Sequence, residues 1–421
     1  MSGLAANAYS ERAAACHDLL LRLAGRVPDR LLAEARHWLV AGDLRSLGHH
    51  VGSAVVAARA PLDPADAWLL AWLLPGDRPS AAPSAASLAA LVGPVGEPAY
   101  RFAPAAPSVL RAAGGAIPHR LDLTAGPDRH RHPGLVDELD SAAVGAAADL
   151  AAIGAADLAA RQRCSEGPPW PGPVALWRGY RFSRSAGIPV RRVYLAQAGD
   201  GADPARLALR LQCALARHGE PDPQVEVFGA AQALPPYQRS ALGHAALLWC
   251  AAPGVPVHVA AVYDTVDPML GARFDPDHPR LSDGARRARF AAYLTANTPL
   301  LAAQEPGGDV LDPDRPAVVP LDLRTDGRFV WSVATAYYLN RYQLAPAAPL
   351  LAHLAHVADR PAAPDRPAAA GGARAPGHLE LFRAMVALQA VGAQQPGWSS
   401  AARPRRSVAA GAAGGERSNG A

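Results

Sequence analysis

The stretch from Arg191 to Phe228 constrains the fold most. RRVYLAQA, residues 191 to 198, is a short β-branched and aromatic run. Asp203 followed by Pro204 suits a helix start, Leu207, Leu211 and Leu215 recur on one helical face, Gly219 stops the helix, and QVEVF reads as a second strand. A strand, a helix and a strand at these lengths predict a βαβ unit with parallel strands and a right-handed crossover. The fold class is therefore α/β.

The flanking sequence extends that unit into a domain spanning 172–356 with a mixed sheet. LPPYQRSALGH supplies a short helix, ALLWCA a buried strand, PVHVAAVYD another strand, and LSDGARRARFAAYLTANTP a capped helix. A hairpin over 317–331, built on alternating Val319, Leu321 and Leu323 and turned at Asp326-Gly327, is expected to be the sheet's last pair, with a primed turn. In the helix that follows, Val333, Ala336 and Tyr337 are expected to face inward and Thr335, Asn340 and Arg341 to face water. LAPAAPLLAHLAHV closes the domain.

Ahead of it, residues 1–75 read as a small all-α domain. Leu31, Leu32, Ala35, Trp38 and Leu39 share a helical face, Gly42 and Asp43 stop one helix and start the next, and Trp38, Trp68 and Trp72 are expected in the core. Residues 76–133 form an Ala/Pro-rich connector, and 134–171 an Ala-rich helical segment with a Pro-rich linker. The tail, 357–421, reads as largely disordered, with one helix in HLELFRAMVALQAV.

Composition excludes several chemistries. All 41 basic residues are arginine, so Schiff-base catalysis, a phosphate-loop lysine and the strand lysine of protein kinases have no ε-amine to work with. The net charge of +4 comes from arginines interspersed with 37 Asp and Glu rather than gathered on a block, which argues against nucleic acid. Cys16, Cys164, Cys213 and Cys250 are too far apart for a zinc ribbon or a dithiol motif. No basic leader and no run of 18 apolar residues occurs, so a cytoplasmic protein away from the membrane is expected.

The candidate reactive groups are sparse. GDGADP, residues 199 to 204, sits where a dinucleotide fingerprint would sit, but Pro204 replaces the third glycine and two aspartates would repel a pyrophosphate. DRHRH, with His130 and His132, and FDPDHP, with Asp275, Asp277 and His278, lie among prolines without a third-ligand helix motif, so no metal or cofactor is implied. Cys250 and His258, on neighbouring expected strands, read as core residues rather than a thiol-base pair. Asp264 and Asp267 in VYDTVD are better placed, at the expected C-terminal edge of the sheet, where α/β proteins bind ligands. Arg324, Arg328, Tyr338, Arg341 and Tyr342 have no evident inward role and form a candidate partner-docking surface at the hairpin tip and the next helix.

Two resemblances complete the reading. WRGYRFSRS with QVE resembles, in order, the Arg, Ser and Gln-x-Glu elements of ADP-ribosyltransferases, which would give roles to Arg178, Ser183 or Ser185, Gln224 and Glu226. However, the serine follows the arginine at once, and Glu226 lies inside a strand. VRRVYLAQA, LPPYQRSALGHAALLW and TDGRFVWSVATAYYLNRYQLAPAAPLLAHL resemble segments of uncharacterised proteins of high-GC actinobacteria, which implies a shared fold and no particular activity. The sequence favours a non-catalytic interaction or scaffold protein with an unknown protein partner. The alternative is a small-molecule enzyme or binding protein using Asp264 and Asp267.

Overall fold

The computed structural model describes residues 2–74, 83–114, 117–124, 157, 159–164, 172–184, 187–220, 222–252, 254–267, 269–358 and 375–394. The expected tail beyond 394, His130 and His132, and most of the expected helical segment at 134–171 lie outside them. The fold is α/β with mixed sheets, preceded by an all-α region. It divides into two compact units: Met1–Val257 with Pro376–Val386, and His258–Ala375 with Ala387–Ala421.

The first unit opens with helices α1 (Ser2–Leu23), α2 (Asp29–Ala41), α3 (Leu44–Ala58), α4 (Pro64–Leu73) and α5 (Ala85–Ala89). Gly42, at φ 78°, ends α2, and Asp43 accepts from the Ser46 N–H to start α3. Strands β1 (Tyr100–Ala103) and β2 (Leu121–Asp122), with helix α6 (Pro107–Ala112) between them, come next. There follow β3 (Pro173–Ser183), β4 (Arg191–Ala198), helix α7 (Pro204–Arg217), β5 (Gln224–Gly229), helix α8 (Pro236–Leu242) and β6 (Ala246–Cys250). The sheet runs β2-β6-β3-β4-β5, and β1 pairs with β3. As the sequence required, β4 and β5 are parallel and joined by α7, whose N-terminus Asp203 caps through the Arg206 N–H.

Successive strand residues feed two different cores. Ala175, Trp177, Val193, Leu195, Phe228 and Leu247 join Leu19, Leu20, Leu32 and Val51 of the N-terminal helices. Leu176, Tyr194, Ala196, Val225 and Leu248 join Leu207, Leu211 and Leu215 of α7. This corrects two sequence boundaries. Residues 1–75 are not a separate domain, because their apolar faces supply the cover that one side of the sheet needs. The 76–133 connector contributes β1 and β2, two short strands without the length to show a period-2 pattern.

The second unit is built from β7 (His258–Val259), β8 (Thr265–Asp267), β9 (Gly271–Arg273), helix α9 (Gly284–Ala296), β10 (Thr298–Leu301), β11 (Leu323–Thr325), β12 (Phe329–Ser332), helix α10 (Ala334–Tyr342) and helix α11 (Ala348–Ala358). Its sheet runs β10-β11-β12-β7, and β8 with β9 makes a separate two-stranded ribbon. The expected 172–356 domain is thus split at Val257, and the hairpin belongs to a second sheet rather than to the βαβ sheet. Its turn also differs from the expectation. Thr325 pairs with Val330 across a four-residue loop, and Gly327 has φ 87° while Asp326 is not at positive φ, so the two-residue type I′ turn does not form.

The C-terminal helix His378–Gln394 occurs where HLELFRAMVALQAV placed it, and its residues up to Val386 pack with the first unit. No helix among the described residues is long and apolar enough to cross a membrane.

Candidate functional site

Charged side chains of the first unit neutralise one another inside it. Arg36 Nη2 donates to Glu226 Oε1 at 2.8 Å, and Gln238 Nε2 donates to the other Glu226 oxygen at 2.9 Å. Arg178 pairs with Asp157, which also accepts from the Tyr194 hydroxyl at 2.7 Å, and Arg181 is held by Asp29 and the Tyr237 hydroxyl. Burial pushes the Tyr194 phenol well above its ordinary range and the Cys16 and Cys164 thiols up to about 11 and about 12, so these groups stay protonated and are not nucleophiles. Arg178 and Glu226, the ADP-ribosyltransferase-like positions, are 0% and 1% exposed and bound to their own chain. Cys250 accepts from Arg383 and lies in a different sheet from His258.

Neither candidate ligand carboxylate lies in the βαβ sheet. Asp264 accepts from the Asp275 N–H and from His278 Nδ1, both at 2.8 Å, while His278 Nε2 meets the Ala345 carbonyl. Asp267 Oδ1 accepts from the N–H groups of Met269 and Leu270 at 2.7 and 2.8 Å. The two aspartates belong to the β8–β9 ribbon and its approach, and they share no partner. Among the described residues no group of three or more His, Cys, Asp or Glu could hold a metal ion.

The candidate docking residues separate. Tyr338 is 1% exposed, its hydroxyl accepting from the Val310 N–H at 3.1 Å, so it is core. Thr335, expected in water, is buried as well. Tyr342 and Tyr337 both donate to Asp309, with Arg341 alongside at 3.9 Å. Arg324 donates to the Asn297 carbonyl, and Asp322, the expected counter-charge, accepts from the Ala303 N–H instead. Of the five, Arg328 and Arg341 are exposed.

Asp326, at the hairpin turn, anchors a network of its own. It accepts from the Arg328 and Phe329 N–H groups, the Tyr293 hydroxyl and His353 Nε2. Burial alone would raise its pKa, but these bonds, led by that from His353, hold the carboxyl down at about 2. A carboxylate with a depressed folded-state pKa stabilises above its unfolded value and loses that contribution as pH falls through the folded one. The second unit is therefore expected to lose about 2 kcal/mol between pH ~4 and pH ~2 through this group, a loss absent in Asp326→Asn. Urea midpoints measured across that interval check the difference.

The outstanding surface feature is the β8–β9 tip, which the sequence reading missed. Thr265, Val266 and Asp267 pair with Arg273, Ala272 and Gly271, so Met269 and Leu270 lie at the tip of this ribbon, next to Gly271 at φ 86°. Met269 and Leu270 point into solvent, 81% and 78% exposed. The two bonds to Asp267 hold them there, and those bonds, first Leu270's and then Met269's, also lower the Asp267 pKa. The sequence signal was available: two large apolar residues between Asp-Pro and Gly, inside a hairpin too short to bury them.

On the first unit, Trp68 and Trp72 are 69% and 47% exposed, which corrects their expected place in the core. Arg12 lies 4.7 Å over the Trp72 ring. Comparison with protein-family models, with curated proteins and with solved structures found no match to this chain.

Proposed function

We propose that this chain is a non-catalytic interaction protein that docks a protein partner through the Met269–Leu270 tip. The carrying observation is that tip: two adjacent large apolar side chains held in solvent by a carboxylate that fixes the loop backbone. Ordering a flexible loop at an interface costs free energy, and a tip already shaped in the free protein avoids most of that cost. Two side chains projecting from a narrow ribbon suit a partner with a preformed apolar socket, and Met adapts well to such a socket. Support also comes from the rest of the chain. The buried Arg–carboxylate sets and the protonated thiols leave no activated nucleophile among them, and Asp264 through both oxygens and Asp267 through Oδ1 accept from their own chain.

The double variant Met269→Ser/Leu270→Ser removes the apolar contact without touching Asp267. It is expected to keep the thermal midpoint of the unaltered chain and to lose the partner that the unaltered chain retains in quantitative affinity purification from its native cell. Equal recovery of the same partner by both chains would overturn the proposal. A partner-free chain that instead binds a metabolite, with Asp264→Asn weakening the binding, would favour the small-molecule alternative.

A further inference from the structure

The C-terminal helix enters the first unit as a guest would. Leu379, Phe382 and Val386, at positions i, i+3 and i+7, are 6%, 3% and 4% exposed and join the core that contains Trp177 and Phe228. The Phe382 ring meets Trp177 edge to face at 5.8 Å, and His378 meets Phe228 at 5.1 Å. The first turn is anchored by polar contacts. The Leu379 N–H donates to Gln197 Oε1 at 3.0 Å, and His378 Nε2 donates to the Gln232 carbonyl at 2.8 Å.

Arg383 then fills a polar notch beside this apolar seat. Its Nε donates to Asp122 Oδ2 at 3.1 Å, and its Nη2 reaches Thr124 Oγ1 at 3.3 Å and Cys250 Sγ at 3.2 Å. The notch exists because residue 254 is glycine: a Cβ there would stand 2.6 Å from Arg383 Cζ. Apolar anchors along one helical face with a basic residue between them, seated in an apolar channel with one acidic notch, is the arrangement by which proteins recognise amphipathic helices. The sequence connection is equally particular. This guest is the part of the first unit that follows His258–Ala375 of the second unit in the chain, after the sequence DRPAAPDRPAAAGGARA of residues 359 to 375.

We propose that this groove is a helix receptor whose partner in trans is the same helix of a second copy of this chain, so that two chains can exchange their C-terminal helices. The identical helix satisfies every contact of the seat, including the pairing of Arg383 with Asp122, and exchange of an identical element creates a dimer without requiring any new complementary surface. The covalent attachment makes the cis seat the default, since an intramolecular helix competes favourably with a dilute second copy. Exchange therefore emerges when the cis seat is released. The inference is independent of the hairpin tip.

Two full-length variants remove the cis competition in complementary ways. Phe382→Asp/Arg383→Asp leaves the groove open with a helix that cannot seat. Gly254→Arg fills the notch with bulk and like charge while leaving its helix intact. Each alone is expected to run as a monomer by analytical ultracentrifugation, and the mixture to form a one-to-one dimer at least about tenfold tighter than either variant with itself. Adding Asp122→Asn to the open-groove chain is expected to weaken that dimer. Two folded variants that stay monomeric when mixed would overturn the proposal. Should the open-groove chain fail to fold, the test passes to a fluorescent peptide of residues 376–392 offered to the unaltered chain just below its melting midpoint. Uptake that unlabelled peptide reverses supports the receptor, and the absence of uptake overturns it.

Discussion

Replacing Arg36 with alanine is expected to destabilise the first unit by about 3–5 kcal/mol, enough to consume much of an ordinary domain's stability. The guanidinium and its partner Glu226 are 0% and 1% exposed. Burial raises the Glu226 pKa, and the Arg36 charge together with the bonds from Gln238 and Arg36 opposes that rise. Without Arg36 the carboxylate has Gln238 alone, and it must either remain charged in an apolar core or take up a proton. Gln238 is committed elsewhere too, its Nε2 donating to the Leu21 carbonyl at 2.8 Å, so loosening Glu226 also loosens the contact between α1 and α8. The double replacement Arg36→Met/Glu226→Leu is expected to recover most of the loss, because apolar residues of similar volume can substitute for a buried ion pair. Urea midpoints of the three proteins at neutral pH decide it. A single variant with an unshifted midpoint would show that the pair is not the lock between helices and sheet.

Tyr338→Ala is expected to cost the second unit about 3–5 kcal/mol, as truncation of a buried aromatic does. The ring sits among Phe274 at 4.9 Å, Tyr337 at 5.2 Å, Tyr263 at 5.7 Å and Tyr342 at 6.1 Å. Tyr338→Phe keeps the ring and leaves the Val310 N–H without its acceptor, so a loss of about 1 kcal/mol is expected. Arg341→Ala, by contrast, removes an exposed group 3.6 Å from Asp312 and 3.9 Å from Asp309, and the thermal midpoint is expected to move little. Calorimetry of the three variants separates them. A Tyr338→Ala midpoint equal to that of the unaltered chain would restore Tyr338 to the docking surface on which its sequence spacing placed it.

That reversal illustrates what a single sequence can carry. The βαβ unit was legible because every signal for it is local: Asp203 caps its own helix, Pro204 starts it, and three leucines fall on one face. Tyr338 was misplaced because Tyr338, Arg341 and Tyr342 at helical spacing define a stripe without saying which of its members is covered. The same ambiguity misplaced Trp68 and Trp72. In AWLLAWLL nearly every side of the helix is apolar, and the structure buries Leu69, Leu70 and Leu73 instead. Glu226 reads as a strand residue, and its pairing with Arg36, 190 positions earlier, was not legible because no periodicity spans that distance. Asp267 was recognised as a special residue, but as a ligand contact. Its backbone partners two and three positions on belong to a local turn, and that turn is what presents the tip.

The proposed docking role is tested most directly by a photoreactive leucine analogue placed at Leu270 in the full chain and irradiated in its native cell. The account predicts a covalent adduct with one other polypeptide, lost when Met269→Ser is added, and no such adduct from the same analogue at Ile188, which is 54% exposed on the first unit. A folded chain that gives no adduct at Leu270, or the same adduct from both positions, would contradict it.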